Sequence, residues 1–155
     1  NIIKEGEDIT IIAHSYTTIL AIKAARILSE YGISAEVIDI RTIRPLDKVT
    51  IINSVIKTKR VVVVDNGWTS FGVSAEIIAT LAENLSSELI NNPIRVGVED
   101  VPVPSTRELA KHAYPNASKV INTVLNIFNI KSKQTDFEDP NIMYDVPDQS
   151  FMGPF

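Results

Sequence analysis

A parallel β-sheet covered by helices on both faces is the fold class that this chain predicts, and three observations predict it. Val61-Val62-Val63-Val64 is a run of four valines closed by Asp65 and a glycine turn, the pattern of a central strand buried on both sides. Apolar strand-like runs alternate with helical periods at short intervals, which calls for right-handed crossovers in one sheet. The polar residues His14 and Ser15, Arg41, Asp65 to Trp68, and Glu99 with Asp100 fall just after those runs. In such sheets ligands gather beyond the carboxyl ends of the strands.

Taken in order, Ile9 to Ala13 is the first apolar run, and Ser15 or Thr17 is placed to cap a helix carrying Leu20, Ala24, Ile27, Leu28 and Tyr31 at helical spacing. Gly32 ends it as the residue freest to turn left-handed. Ala35 to Ile40 is a second strand, and Asp47 is the expected N-cap of a helix from Lys48 to Lys57. After the valine strand a turn is expected at Asp65 to Trp68, then a helix from near Ser70 to Leu85 with Gly72, Ala75, Ala79 and Ala82 on its surface. Ile94, Val96 and Val98 alternate as a further strand. Pro102 and Pro104 make the next stretch rigid and irregular, and Ser105-Thr106-Arg107-Glu108 matches a capping box for a short helix before Pro115. Ala117 to Ile130 forms the last helix, with Val120, Ile121, Val124, Leu125 and Phe128 on one stripe. Two units follow: a domain over 1–133 and an extended tail over 134–155. The tail holds three prolines and five acids without a helical period, yet also Phe137, Met143, Tyr144, Phe151 and Phe155. So many large apolar groups predict that it lies across a neighbouring surface of the same domain or its mate.

At 155 residues the domain can bury a core without staples. No Cys and two His leave neither a zinc site of the usual ligand set nor a thiol nucleophile. A net charge of −4 argues against a general nucleic-acid or anionic-membrane surface. No apolar run approaches membrane-spanning length. The chain opens at Asn1 without an initiator Met and reads as a piece of something longer.

The six glycines form no dinucleotide fingerprint, and there is no phosphate-binding GxxxxGK[ST] loop. His14-Ser15 with Asp39 or Asp65 has the residue types of a nucleophilic triad but lacks the G-x-S-x-G elbow. Asp65 with Glu99 and Asp100 has the acids of a magnesium site. Arg41 and Arg44 before Pro45 suit an anion or, more plainly, loop-holding ion pairs. His112 reads as a partner of a helix C-terminus. Trp68 and Phe71 beside a glycine turn suit loop packing or a subunit contact, where aromatics are enriched.

Four motifs in order carry a family resemblance: Ile11-Ile12-Ala13-His14-Ser15; Glu36-Val37-Ile38-Asp39-Ile40-Arg41-Thr42-Ile43-Arg44-Pro45-Leu46-Asp47; Gly67-Trp68 with Phe71-Gly72-Val73 and Ala75-Glu76-Ile77; and Asp100-Val101-Pro102-Val103-Pro104. Over about Gly6 to Ile130 the chain resembles the C-terminal, transketolase-type domain of the beta subunit of thiamine-diphosphate-dependent 2-oxo acid dehydrogenases, the pyruvate and branched-chain enzymes closest. The resemblance implies a three-layer α/β/α sandwich with a five-stranded mixed sheet, in which an antiparallel edge strand comes from Asn1 to Glu5. It implies that thiamine diphosphate and magnesium lie between an alpha subunit and the beta subunit's N-terminal domain, not in this domain, and that catalytic residues are elsewhere. His14 would only look toward the active-site side. It further implies a beta-beta contact, assigned here to Asn66, Gly67, Trp68, Phe71 and Gly72, and a docking surface for a lipoyl acyltransferase core, assigned to Asn91 and Asn92. A bacterial cytoplasm or an organelle matrix follows as its place.

The chain departs from the family pattern at Asp65-Asn66-Gly67-Trp68-Thr69, where Glu-Gly-Gly-Trp-Pro is usual. Asn91 and Asn92 stand where an acid precedes the proline, and the tail has no counterpart. The matching domain of another thiamine enzyme, transketolase or deoxyxylulose-phosphate synthase, is the alternative, as is a stand-alone interaction module without catalysis.

Overall fold

The computed structural model describes residues 1–85, 87–106, 109, 112–132 and 137. The described residues form, in order, β1 (Ile2–Lys4), β2 (Ile9–Ala13), α1 (Tyr16–Glu30), β3 (Ala35–Asp39), α2 (Lys48–Thr58), β4 (Val61–Trp68), α3 (Val73–Leu85), β5 (Ile94–Val98) and α4 (Ala117–Ile127). The sheet order is β1-β3-β2-β4-β5. β2, β3, β4 and β5 run parallel, and β1 lies antiparallel on the edge against β3. The mixed five-stranded sheet and its antiparallel edge strand are therefore as the resemblance implies.

The valine run shows why this sheet needs cover on both sides. Val62 and Val64 join Ile9, Ile11, Ala35 and Val37 in one core with α1 and α4. Val61 and Val63 join Ile12, Ile38 and Ile40 in a second core with Ile51 and Val55 of α2 and Ile77 and Leu81 of α3. Successive side chains of a strand point to opposite faces, so four consecutive valines feed two cores at once.

The second core contains a polar inclusion that no local sequence pattern marks. Glu36, the second residue of β3, is fully buried. Its carboxylate accepts hydrogen bonds from the Ser54 hydroxyl, the Lys57 ammonium and, at 3.3 Å, the Gly6 amide. Thr10 extends the cluster to Ser54 at 2.9 Å and Thr58 at 2.7 Å. Lys57 also reaches Glu5 at 3.3 Å. A Cβ at Gly6 would stand 2.2 Å from the Glu36 amide nitrogen, so only glycine lets the β1–β2 connection approach closely enough to donate. Burial alone would raise the Glu36 pKa, but the bonds from Lys57, Ser54 and Gly6 overcome it and hold the group below its ordinary value. The bond to Glu36 raises Lys57.

Several boundaries differ from the sequence reading. Asp47 caps α2 as expected, accepting from Thr50 N at 3.1 Å, and Gly32 takes φ +76° after α1. Neither Ser15 nor Thr17 caps α1 in the expected way. Ser15 sits at φ 52° with no side-chain cap bond, while the Thr17 hydroxyl donates to the carbonyls of His14 (2.8 Å) and Val64 (3.1 Å). Thr17 thus ties the β2–α1 turn to β4. The turn expected at Asp65 to Trp68 is strand instead, because Trp68 pairs with Val98 beyond an irregularity after Val64. α3 consequently begins at Val73 rather than Ser70, and α4 ends at Ile127 rather than Ile130. Half of the expected capping box, residues 107 and 108, lies outside the described residues, as does the tail apart from Phe137. Among the described residues no helix is long and apolar enough to cross a membrane.

Lys57 is exposed, but the Glu36 carboxylate it partners is fully buried, and a buried acid that loses its cation is left uncompensated. Lys57→Met should therefore cost about 1–2 kcal/mol in urea unfolding, less than for a fully buried pair because solvent reaches the ammonium, with Glu36→Gln added to it recovering part of the loss. The Glu36 contribution is present above its unfolded pKa of about 4.3 and lost as pH falls through its lower folded value. Equal stability of Lys57→Met and the parent at pH 7 would remove the pair from the account.

Candidate functional site

At the carboxyl end of the sheet the side chain of Asp65 organises two strands and a helix. Asp65 is 2% exposed. Its Oδ1 lies 3.2 Å from His14 Nε2 and accepts the Gly67 amide at 2.8 Å; its Oδ2 accepts the Ser74 amide at 2.8 Å in the first turn of α3. A carboxylate at a helix N-terminus meets unpaired N–H groups and the positive end of the dipole. Burial would raise the Asp65 pKa; the bonds from His14, Ser74 and Gly67 outweigh it and hold the group well below the usual carboxylate range. An ionised acceptor requires a donor, so the proton of a neutral His14 ring resides on Nε2.

This carboxylate shapes the loop between β4 and α3. A Cβ at Gly72 would stand 2.4 Å from the Trp68 carbonyl oxygen and 2.8 Å from Asp65 Oδ2, and one at Gly97 would stand 3.0 Å from the Gly67 carbonyl oxygen. Glycine at these positions lets the loop close over the acid. The Thr69 amide donates to Val98 O at 2.9 Å and Arg95 donates to Thr69 O, which fasten the loop to β5. What the loop presents outward is apolar: Trp68 is 56% exposed, and Phe71, at φ 60°, is fully exposed. Asn66 is exposed, and Gly67 and Gly72 are half-buried. Along α3 beyond the loop, Ala75 is half-buried and Ala79 and Ala82 are exposed, a shallow strip beside a projecting aromatic.

The other candidates separate. Asp39 does not join His14; its carboxylate takes the Thr18 hydroxyl at 3.0 Å and Arg41 Nε at 3.3 Å. The Arg41 contact is the loop-holding ion pair that was the plainer reading, and Arg44 is exposed. The His14 ring bonds to Asp65 rather than to Ser15, so no nucleophilic triad forms. Glu99 and Asp100 are exposed, Asp65 has committed both oxygens within the chain, and no group of three metal-binding side chains occurs among the described residues. These acids do not fit magnesium. A cleft of about 200 Å³ beside the end of β3, lined by Asp39, Arg41, Leu46, Asp47 and Thr50, does not include the His14–Asp65 pair. His112 is exposed, and its carbonyl accepts Lys119 Nζ at 2.6 Å. Asn91 is half-buried and Asn92 exposed just before β5, at the opposite end of the sheet from Asp65.

Residues 1–120 match the family model described as "Transketolase, C-terminal domain". The chain belongs to this family. The domain is 42% identical over 131 residues to the pyruvate dehydrogenase E1 component subunit beta of Rickettsia bellii, covering 84% of this chain and 40% of that protein. It is 39% identical over 130 residues to the mitochondrial subunit of Saccharomyces cerevisiae, covering 83% and 36%. To the human mitochondrial subunit it is 38% identical over 128 residues, covering 82% and 36%. It therefore spans less than half the length of these relatives. Among solved structures, a split-gene transketolase described as an inactive beta4 tetramer superposes with a TM-score of 0.73 at 29% identity, covering 85% of this chain and 43% of that one. A 2-oxoglutarate:ferredoxin oxidoreductase from Magnetococcus marinus, at 17% identity and TM-score 0.52, shares the fold.

Asp65→Asn should cost roughly 1.5–3 kcal/mol, the scale of a hydrogen bond to a charged group. It should also flatten the acid limb of the stability profile, because the Asp65 contribution is present above the unfolded carboxylate pKa and lost as pH falls through the lower folded one. Urea unfolding across pH 2 to about 7 measures both; an unchanged acid limb would show that the carboxylate is not held as described.

Proposed function

We propose that this chain is the assembly and partner-docking domain of a thiamine-diphosphate-dependent 2-oxo acid dehydrogenase of the pyruvate dehydrogenase beta-subunit type. The whole enzyme would oxidatively decarboxylate a 2-oxo acid and pass the acyl group to lipoamide. The observation that carries this reading is the 38–42% identity to beta subunits from yeast, human and a bacterium over nearly the whole described domain. The same relatives favour a bacterial cytoplasm or a mitochondrial matrix as its place.

Thiamine diphosphate and magnesium belong, on this proposal, to a site built by an alpha subunit and the preceding domain of the beta subunit. The Asp65 carboxylate is spent on the Gly67 and Ser74 amides and on His14, and the sequence holds no glycine loop of the diphosphate-cradling type. The chain's own task is contact. Asn66, Gly67, Trp68, Phe71 and Gly72 with the small-residue strip of α3 supply a projecting aromatic and a shallow face on one surface, the self-complementary layout that a two-fold contact needs. The beta4 assembly of the split-gene transketolase is the parallel. Asn91 and Asn92, at the far end of the sheet, would meet a lipoyl acyltransferase core, with two amides in place of an acid to weaken that attraction.

Calorimetry of the chain with thiamine diphosphate and magnesium should give no binding heat, and micromolar affinity would contradict the proposal. Trp68→Ala with Phe71→Ala should move the mass measured by light scattering toward monomer; an unchanged dimer would take the loop out of the interface. The intact polypeptide carrying this domain, purified with its alpha-type partner, should oxidise pyruvate with a lipoyl acceptor. Ketol transfer between sugars without that oxidation would favour the transketolase reading instead.

A further inference from the structure

Phe137 lies beyond residues 1–120, which the family model matches, yet it is packed into the body of the domain. Its ring meets Tyr31 edge-on, with centroids 6.3 Å apart and planes at 74°. Its amide donates to the Ser118 hydroxyl at 2.7 Å. It packs against the core shared by α1 and α4, where Ile27, Tyr31, Ile127, Phe128 and Ile130 are its partly buried companions.

The position of Ser118 makes this contact informative. Ser118 is in the first turn of α4, whereas Ile130 closes the far end of that helix by donating to Leu125 O at 2.9 Å. At about 1.5 Å per residue, Ser118 and Ile127 are roughly 14 Å apart along the helix. The seven steps from Ile130 to Phe137 span at most roughly 25 Å. Phe137 has therefore returned alongside the helix that precedes it, using more than half of the chain's reach. A tethered aromatic with one directed backbone bond and an apolar seat loses little further freedom on docking.

We propose that the seam between α1 and α4 is a docking site for the chain's own C-terminal segment, with Phe137 as its anchor. The seat is apolar, its polar contact is to the backbone of the incoming segment, and its occupant comes from the part of the chain that the family model leaves out. The seam is thereby closed to other partners, and whatever the remaining residues do starts from a fixed point on the domain.

Trypsin reads the anchor directly, since Lys131 and Lys133 immediately precede it. In the 155-residue chain, Phe137→Ala should speed cleavage at these lysines by about five-fold or more, as the population of the released segment rises. It should also lower the thermal midpoint by about 3 °C or more. Phe137→Leu, which keeps an apolar side chain, should restore most of the protection. Cleavage and melting unchanged in Phe137→Ala would overturn the proposal. Protection that disappears on dilution would overturn it as well, because the seat would then be filled by a second copy of the chain.

Discussion

One buried carboxylate organises the carboxyl end of this domain's sheet. Asp65 stands where β4 emerges from the core, and an ionised group there is tolerated only because each oxygen is spoken for: Oδ1 by Gly67 and His14, Oδ2 by Ser74. From that one constraint follow the start of α3, the orientation of His14, the need for glycine at 72 and the outward aim of Trp68 and Phe71. The side chain also joins β2 to β4 at their carboxyl ends, alongside the Thr17 hydroxyl that bonds to the Val64 carbonyl. A loop built this way is stiff where it leaves the sheet and apolar where it meets solvent. Stiffness lowers the ordering cost of an interface.

A second polar cluster lies in the same α2 and α3 layer, nearer the amino ends of the strands. Glu36 and Lys57 link β3 to α2, and Gly6 adds the connection from the edge strand. Around them the α2 and α3 core is aliphatic, so the cluster is a polar island that links β3, α2 and the β1–β2 connection. Both clusters share a design: an acid in a strand, held by one lysine or histidine side chain and by backbone amides, with a glycine close by where a Cβ would collide.

The layers were legible in the sequence because they rest on periodicity. Four valines in a row, helical stripes in α1 and α4, and the Asp47 cap each follow from local rules that tertiary context did not override. The edge strand was legible only through the family resemblance, since three residues are too few to show a period. Asp65 was visible as a strand-end acid and was even set beside His14, but its role was not, because amide partners at Gly67 and Ser74 depend on how the loop folds back. Glu36 was missed for a different reason. An acid flanked by Ala35 and Val37 looks like the exposed face of an alternating strand, and only the placement of Lys57, Ser54 and Gly6, distant in sequence, reveals that it is buried. The end of β4 was misjudged because Asn66-Gly67 is a strong turn signal, which pairing of Trp68 with Val98 overrode.

The assembly role we propose rests on one surface, the Asn66–Gly72 loop and the small-residue strip of α3, and hydrogen–deuterium exchange across a range of protein concentrations tests that proposal most directly. The account predicts that amides of this loop and of the exposed side of α3 exchange more slowly as concentration rises, while those of α1 stay constant. Exchange in the loop that is independent of concentration, or protection that grows elsewhere in its place, would contradict it.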